Sequence, residues 1–245
     1  MIAAITAGGR VAGPLAAAIG TDVKALAPFG AGRLIDRSIA AARAAGARHI
    51  SVIGGAEVRA HCAALVDDVI DEAEDGRENL RLAIESGGAE PLLLLASDLP
   101  FVSSEAAEEF VARASGSDLA LPLATEADYA RAYPGAPPHV TRLGRERVAN
   151  GSVVYFAPGV APRVLEIAQR LFVARKSLLR MALLLGPALL LRFLTNRLEI
   201  AHVERRANQL FGIDARAVRN ASPSLCFDID GIEDYRYALE RAAQG

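Results

Sequence analysis

Leu92 to Ala96 reads Leu-Leu-Leu-Leu-Ala, five residues without a polar side chain, set between two segments of helical pattern. A strand that alternates apolar and polar residues can leave one face in water, whereas an unbroken apolar strand must be covered on both faces. Ile2 to Thr6 and His49 to Ile53 have nearly the same character. Apolar strands separated by helices specify an α/β fold with a mostly parallel, doubly wound sheet.

The rest of the chain fits that frame. After Thr6 a loop runs from Ala7 to about Gly32, and Leu34, Ile35, Ile39 and Ala42 then fall at helical spacing up to Gly46. Further along, the pattern predicts strands at Val69–Asp71, Asp118–Leu123, Ser152–Phe156, Ala215–Arg219 and Cys226–Asp230. Helices are expected at Glu78–Ser86, Glu105–Ala114 and Ile232–Ala243, and a helical block from Val160 to about Phe211 reads as an insertion in a single domain spanning 1–245. From Thr125 to Ala149 the pattern fails, with Pro134, Pro137 and Pro138 among Tyr and Arg, as expected of a functional loop.

Composition removes several classes of function. With 27 basic against 29 acidic residues the chain offers no electrostatic footprint for a nucleic acid. Its two cysteines, Cys62 and Cys226, form no CxxC spacing, which suits a reducing cytoplasm. The apolar run Met181–Leu191 is broken by Gly186-Pro187 and is half the roughly 20 residues that a membrane span needs. Flanked by Arg175, Lys176, Arg180, Arg192 and Arg197, the Leu178–Leu198 block is expected to pack on its own domain or form a homodimer, with an acidic membrane surface as the alternative.

Open parallel sheets bind ligands beyond the carboxyl ends of their strands, and three polar segments fall there. Ala7-Gly8-Gly9-Arg10 follows the first strand, so its backbone amides can approach a phosphate and Arg10 can add a forked donor. Asp98 follows the most apolar strand, where a carboxylate can hold Mg²⁺ carrying substrate phosphates; Ser103 and Ser104 are better placed to cap the next helix. Asp228 and Asp230 close the last short strand, and Glu233 and Asp234 suit the start of the final helix. Lys24 and Lys176 are the only lysines beside 25 arginines, and Lys24 stands in the first loop, where its flexible stem can follow a phosphate. Among the histidines, His139 in the proline-rich loop is the one placed to face an acceptor; His49, His61 and His202 read as structural.

These pieces together resemble the MobA-like, molybdenum-cofactor-type NTP transferases. The resemblance rests on T-A-G-G-R at 6–10, K-A-L-A-P-F-G-A-G-R-L-I-D at 24–36, G-R-E-N-L at 76–80, S-D-L-P-F-V at 97–102, N-G-S-V-V-Y-F at 150–156 and D-I-D-G-I-E-D-Y at 228–235. It implies a loop of Ala7, Gly8, Gly9 and Arg10 around a triphosphate, Lys24 on the phosphates, Asn79 near the nucleoside, and Mg²⁺ held by Asp98 and Asp230. The sequence departs from the family at Val11-Ala12-Gly13-Pro14 and at Gly231-Ile232. The expected activity is transfer of an NMP from an NTP, with a lean to GTP because Gly9 leaves room, onto a small phosphate or hydroxyl acceptor with release of pyrophosphate. A glycosyltransferase using a sugar nucleotide and a non-catalytic nucleotide-binding regulator are the other readings.

Overall fold

The computed structural model describes residues 1–165, 174, 177, 183 and 186–244; Arg175, Lys176 and Arg180 lie outside the described residues. In chain order the strands are β1 (Ile2–Thr6), β2 (Pro28–Phe29), β3 (Gly32–Arg33), β4 (His49–Ile53), β5 (Asp68–Ile70), β6 (Leu92–Ala96), β7 (Leu119–Thr125), β8 (Thr141–Leu143), β9 (Glu146–Asn150), β10 (Val153–Phe156) and β11 (Ala215–Arg219). Nine of them form one sheet in the order β5-β4-β1-β6-β10-β7-β9-β8, with β11 also pairing β7, and β2–β3 is a separate hairpin. β5, β4, β1 and β6 run parallel, as their apolar character requires, while β10 enters antiparallel between β6 and β7. Because β10 runs the opposite way, its first residues stand at the edge where β1 and β6 end, with Val153 beside Leu95.

Alternate residues of each strand feed two cores. Ala3, Ile5, Leu93 and Leu95 point to one face and Ala4 and Leu92 to the other, the period of two expected of a strand covered on both sides. The first face is covered by α1 (Gly13–Ile19), α2 (Leu34–Ala44), α3 (Ala56–Cys62), α5 (Ser104–Ala114), α6 (Glu126–Ala132) and α9 (Ile232–Ala242). The second is covered by α4 (Gly76–Ser86), helical residues 160–165 and α8 (Ile200–Phe211), which follows the exposed α7 (Pro187–Leu194).

Caps account for several boundaries. The Ser103 side chain accepts from Ala106 N at 3.2 Å at the start of α5, as its hydroxyl predicts, and the Asp75 side chain does the same for Arg77 N at 2.9 Å before α4. Three expectations are corrected. The loop from Ala7 to Gly32 contains α1, set by Pro14 in its first turn and Gly20 at its end, and the β2–β3 hairpin. The stretch from Thr125 to Ala149 contains α6, capped by the Thr125 side chain, and the β8–β9 hairpin. Cys226–Asp230 is not a strand: it has no ladder partner, because the 3-10 turn Pro223–Leu225 delivers it along the edge of the sheet rather than into it.

Candidate active site

The site begins where β1 lets go of the sheet. Val11 N donates to Asp22 O at 2.8 Å and Lys24 N to Gly9 O at 3.0 Å, so the returning segment is zipped onto the glycine loop. A 3-10 turn over Lys24–Leu26 then aims the lysine across the strand ends. Its ammonium is ion-paired with the Asp98 carboxylate and donates to Ile229 O at 2.8 Å. Burial works against the charged lysine, but Asp98, and beyond it Asp230 and Asp228, outweigh burial and hold its pKa above the ordinary lysine value.

Asp98 follows β6 and is only 7% exposed. Its carbonyl accepts from Ile229 N at 3.1 Å, which ties the closing Asp228-Ile229-Asp230 segment to the central strand. Asp228 accepts from Ser152 Oγ at 3.0 Å and stands 3.5 Å from His139 Nδ1. The other ring nitrogen of His139 is 2.9 Å from Asp234 Oδ1, and Asp234 Oδ2 accepts from the backbone of Asp230 (3.0 Å) and Gly231 (2.8 Å). Burial raises the Asp228 pKa first, and the charges of Asp98 and Asp230 raise it further.

His139, Asp228 and Asp230 each offer one ligand atom, all within 4.8 Å of one another. Two hard carboxylate oxygens and an imidazole in a locally negative site fit a small divalent cation. No ladder forms over 226–230, yet Asp228 and Asp230, two residues apart, turn their carboxylates to one group. Asp98, expected to share the cation with Asp230, has its carboxylate paired with Lys24.

A cleft of about 650 Å³ opens beside these residues, lined by Gly8, Gly9, Lys24, Asn79, Asp98 and Ser152 among others. A Cβ on Gly8 would stand 2.2 Å from Glu72 Oε2 and 3.1 Å from Asn79 Nδ2, so that position is closed to a side chain unless Glu72 moves. At Gly9 a Cβ would meet Lys24 Cε at 3.6 Å, an ordinary contact. Asn79 lines the cleft, but its amide is engaged with the loop before α4, accepting from Ala73 N at 2.7 Å and donating to Ala73 O at 3.0 Å. Arg10 pairs with Glu72 (2.5 Å), Asp22 (3.2 Å) and Glu57 (3.6 Å), which hold its pKa above the ordinary arginine value. Its fork thus faces three carboxylates, and it also lines a second cavity with Asp230 and Gly231.

The structure adds Glu72, Ser152 and Asp234 to the residues singled out from sequence. Ser152 lies inside the N-G-S-V-V-Y-F segment, which gave a signal for it. Asp234 caps α9 as the helix dipole suggests, yet its hold on His139 spans 95 positions and has no local signature. Nothing in the sequence marks Glu72, whose role depends on α3 and β5 meeting the first loop.

A glycine loop at the carboxyl edge of a mostly parallel sheet, a lysine paired with a buried carboxylate and a two-carboxylate cation niche define an α/β nucleotidyltransferase. The MobA-like NTP transferase domain matches residues 3–194, and the chain belongs to that family. A hypothetical transferase of Thermus thermophilus is similar over 95% of this chain and 98% of its own, at 27% identity and a TM-score of 0.82. Two more distant structures share the fold. One is 2-C-methyl-D-erythritol 4-phosphate cytidylyltransferase, also of Thermus thermophilus (17% identity, TM-score 0.57, 99% of this chain and 98% of that one). The other is Rv0371C of Mycobacterium tuberculosis in complex with manganese (19% identity, TM-score 0.54, 98% and 97%). No curated protein sequence matches the chain.

Proposed function

We propose that the protein transfers the NMP of an NTP, with GTP the favoured donor, to a phosphate or hydroxyl acceptor and releases pyrophosphate. The observation that carries this reading is the convergence of Lys24, Asp98, Asp228, Asp230 and His139 at one end of a glycine-lined cleft. Developing charge on the α-phosphate and on the leaving pyrophosphate is what such a reaction must neutralise, and preorganised cations and amides do so at low reorganisation cost. Lys24, anchored by Ile229 O, has its direction fixed before the nucleotide arrives. Gly8 and Gly9 let the backbone approach the phosphates. Asp228, Asp230 and His139 would hold Mg²⁺ or Mn²⁺, which supplies charge neutralisation to the triphosphate when bound. Asp98 keeps Lys24 charged and in place, and Asp234 orients His139. A phosphate acceptor is already ionised at neutral pH, so it attacks the α-phosphorus without a dedicated base as the bond to the pyrophosphate oxygen breaks.

The whole chain is taken as one domain, since β11 returns to β7 after the segment at 160–211 and α9 packs on the first core. Both Cys62 and Cys226 are buried free thiols, which supports a cytoplasmic setting. Among the described residues no helix is long and apolar enough to cross a membrane. The test is incubation of the protein with each NTP, Mg²⁺ and a metabolite extract while pyrophosphate is followed. Mg²⁺-dependent pyrophosphate release from an NTP supports the reading, and consumption of a sugar nucleotide without pyrophosphate replaces it with glycosyl transfer.

A further inference from the structure

On the second face of the sheet, between α4 and α8, lies another cavity of about 430 Å³, a volume typical of small-molecule sites. Its walls are almost wholly hydrocarbon, with Leu121, Val203 and Phe211 among them. Of the charged residues at its edge, Glu204 is turned to the β11 backbone, accepting from Ala217 N at 2.7 Å, and Arg216 pairs with Asp214 at 2.6 Å. Both charged groups are thus engaged by the protein itself. Leu80, Leu94 and Val154 line both this cavity and the glycine-lined cleft, so the two spaces adjoin across these three side chains. Leu121 is 40% and Val203 38% exposed, which opens the far end to solvent.

A second observation points the same way. α7 buries none of its side chains and shows Leu191, Phe193 and Leu194 to solvent beside Arg192 and Arg197. An apolar helix with cationic neighbours is the pattern of a surface that rests against a bilayer of acidic lipids. α8, which lines the cavity, follows α7 in the chain.

We infer that the acceptor is a lipid phosphate whose hydrocarbon chain occupies the apolar cavity while its phosphate stands in the cleft near Lys24. This rests on the nucleotidyltransferase reading of the cleft. An oxygen of the lipid phosphate attacks the α-phosphorus of the NTP, the bond to the β-phosphate oxygen breaks, and pyrophosphate leaves with its electron pair. The product is a nucleoside diphosphate joined to the lipid. The cavity holds the chain by the hydrophobic effect alone, so affinity is set by length rather than by any polar contact along it.

The test is calorimetric titration of the full-length protein with methyl, hexyl and decyl phosphate, each below its micelle concentration. Each methylene buried should tighten binding about fourfold, making hexyl phosphate at least about a hundredfold tighter than methyl phosphate. Leu121→Glu and Val203→Glu, both at the solvent end and therefore compatible with folding, should each flatten that dependence. Equal affinities for the three ligands, or a length dependence untouched by both variants, would overturn the inference and leave the cavity to a second copy of the chain or to its own residues. The rise in melting temperature given by NTP with Mg²⁺ is read on the same samples. If it persists while chain length has no effect, only the lipid assignment fails; if it is absent too, the nucleotidyltransferase reading fails with it.

Discussion

Replacing Lys24 by alanine removes the cation from a pair in which the lysine side chain is 19% and the Asp98 side chain 9% exposed. From its loop position alone the lysine would be expected to affect turnover and hardly touch stability. The structure changes that expectation, because the variant leaves a buried carboxylate beside Asp228 and Asp230 with no counter-charge, and strips Ile229 O of its donor. Removing one member of a buried pair costs on the order of 3–5 kcal/mol. For a chain of this size about 3 kcal/mol corresponds to a fall in Tm of about 6–12 °C. Lys24→Ala should therefore melt markedly lower and lose NTP-dependent turnover, while adding Asp98→Asn should restore much of the Tm but none of the activity. The pH dependence follows from the raised lysine pKa. The pair's contribution is fully present below the ordinary lysine value of 10.5 and is lost as pH rises through the higher folded value. The gap in Tm between wild type and Lys24→Ala should accordingly stay constant from about pH 6 to pH 9. Differential scanning calorimetry of wild type and the single and double variants reads this directly. A single variant within about 1 °C of wild type, or a double variant no better than the single, would refute the buried-pair reasoning.

Asp228→Asn should raise the Tm of the metal-free protein at pH 7. Its carboxyl pKa is raised in the folded state, so its charge costs stability increasingly as pH climbs above the ordinary carboxylate value, and the gain should vanish in acid. The same variant should lose the rise in Tm that Mn²⁺ gives wild type. His139→Ala should weaken Mn²⁺ binding by calorimetry while leaving the fold intact. Gly8→Ala should weaken NTP binding more than Gly9→Ala, because its Cβ would displace the Glu72 carboxylate (Oε2 at 2.2 Å) from beside Arg10, whereas at Gly9 a Cβ meets Lys24 Cε at 3.6 Å; equal NTP affinity of the two variants would count against the packing argument.

The parts of the fold legible in the sequence are those whose burial is two-sided. β1, β4 and β6 are apolar at nearly every position, and their boundaries match the expectation. Short elements were hidden because tertiary packing makes them: α1 has 7 residues, too few to carry a periodic signal, and is set by Pro14 and Gly20. Cys226–Asp230 shows the opposite error. Its Phe-Asp-Ile-Asp alternation imitates a strand, but the chain there is a loop with Phe227 and Ile229 buried in the core and both carboxylates toward the site. At the site, the loop glycines and Asp98 were legible because strand ends mark the ligand edge, and Lys24 because lysine is scarce in this chain. The joining of His139 to Asp228 and Asp234 was not, since the proline-rich stretch carries no periodicity to say where it returns.

The central claim is that one end of the glycine-lined cleft binds a triphosphate and a divalent cation together. A crystal structure of the protein with a non-hydrolysable NTP analogue and Mn²⁺, with the ion located by its anomalous signal, tests it most directly. The account predicts the triphosphate against Gly8, Gly9 and Lys24, and the ion coordinated by Asp230 with Asp228 or His139 and by phosphate oxygens. A nucleotide bound elsewhere, or an anomalous peak away from Asp228 and Asp230, would contradict it.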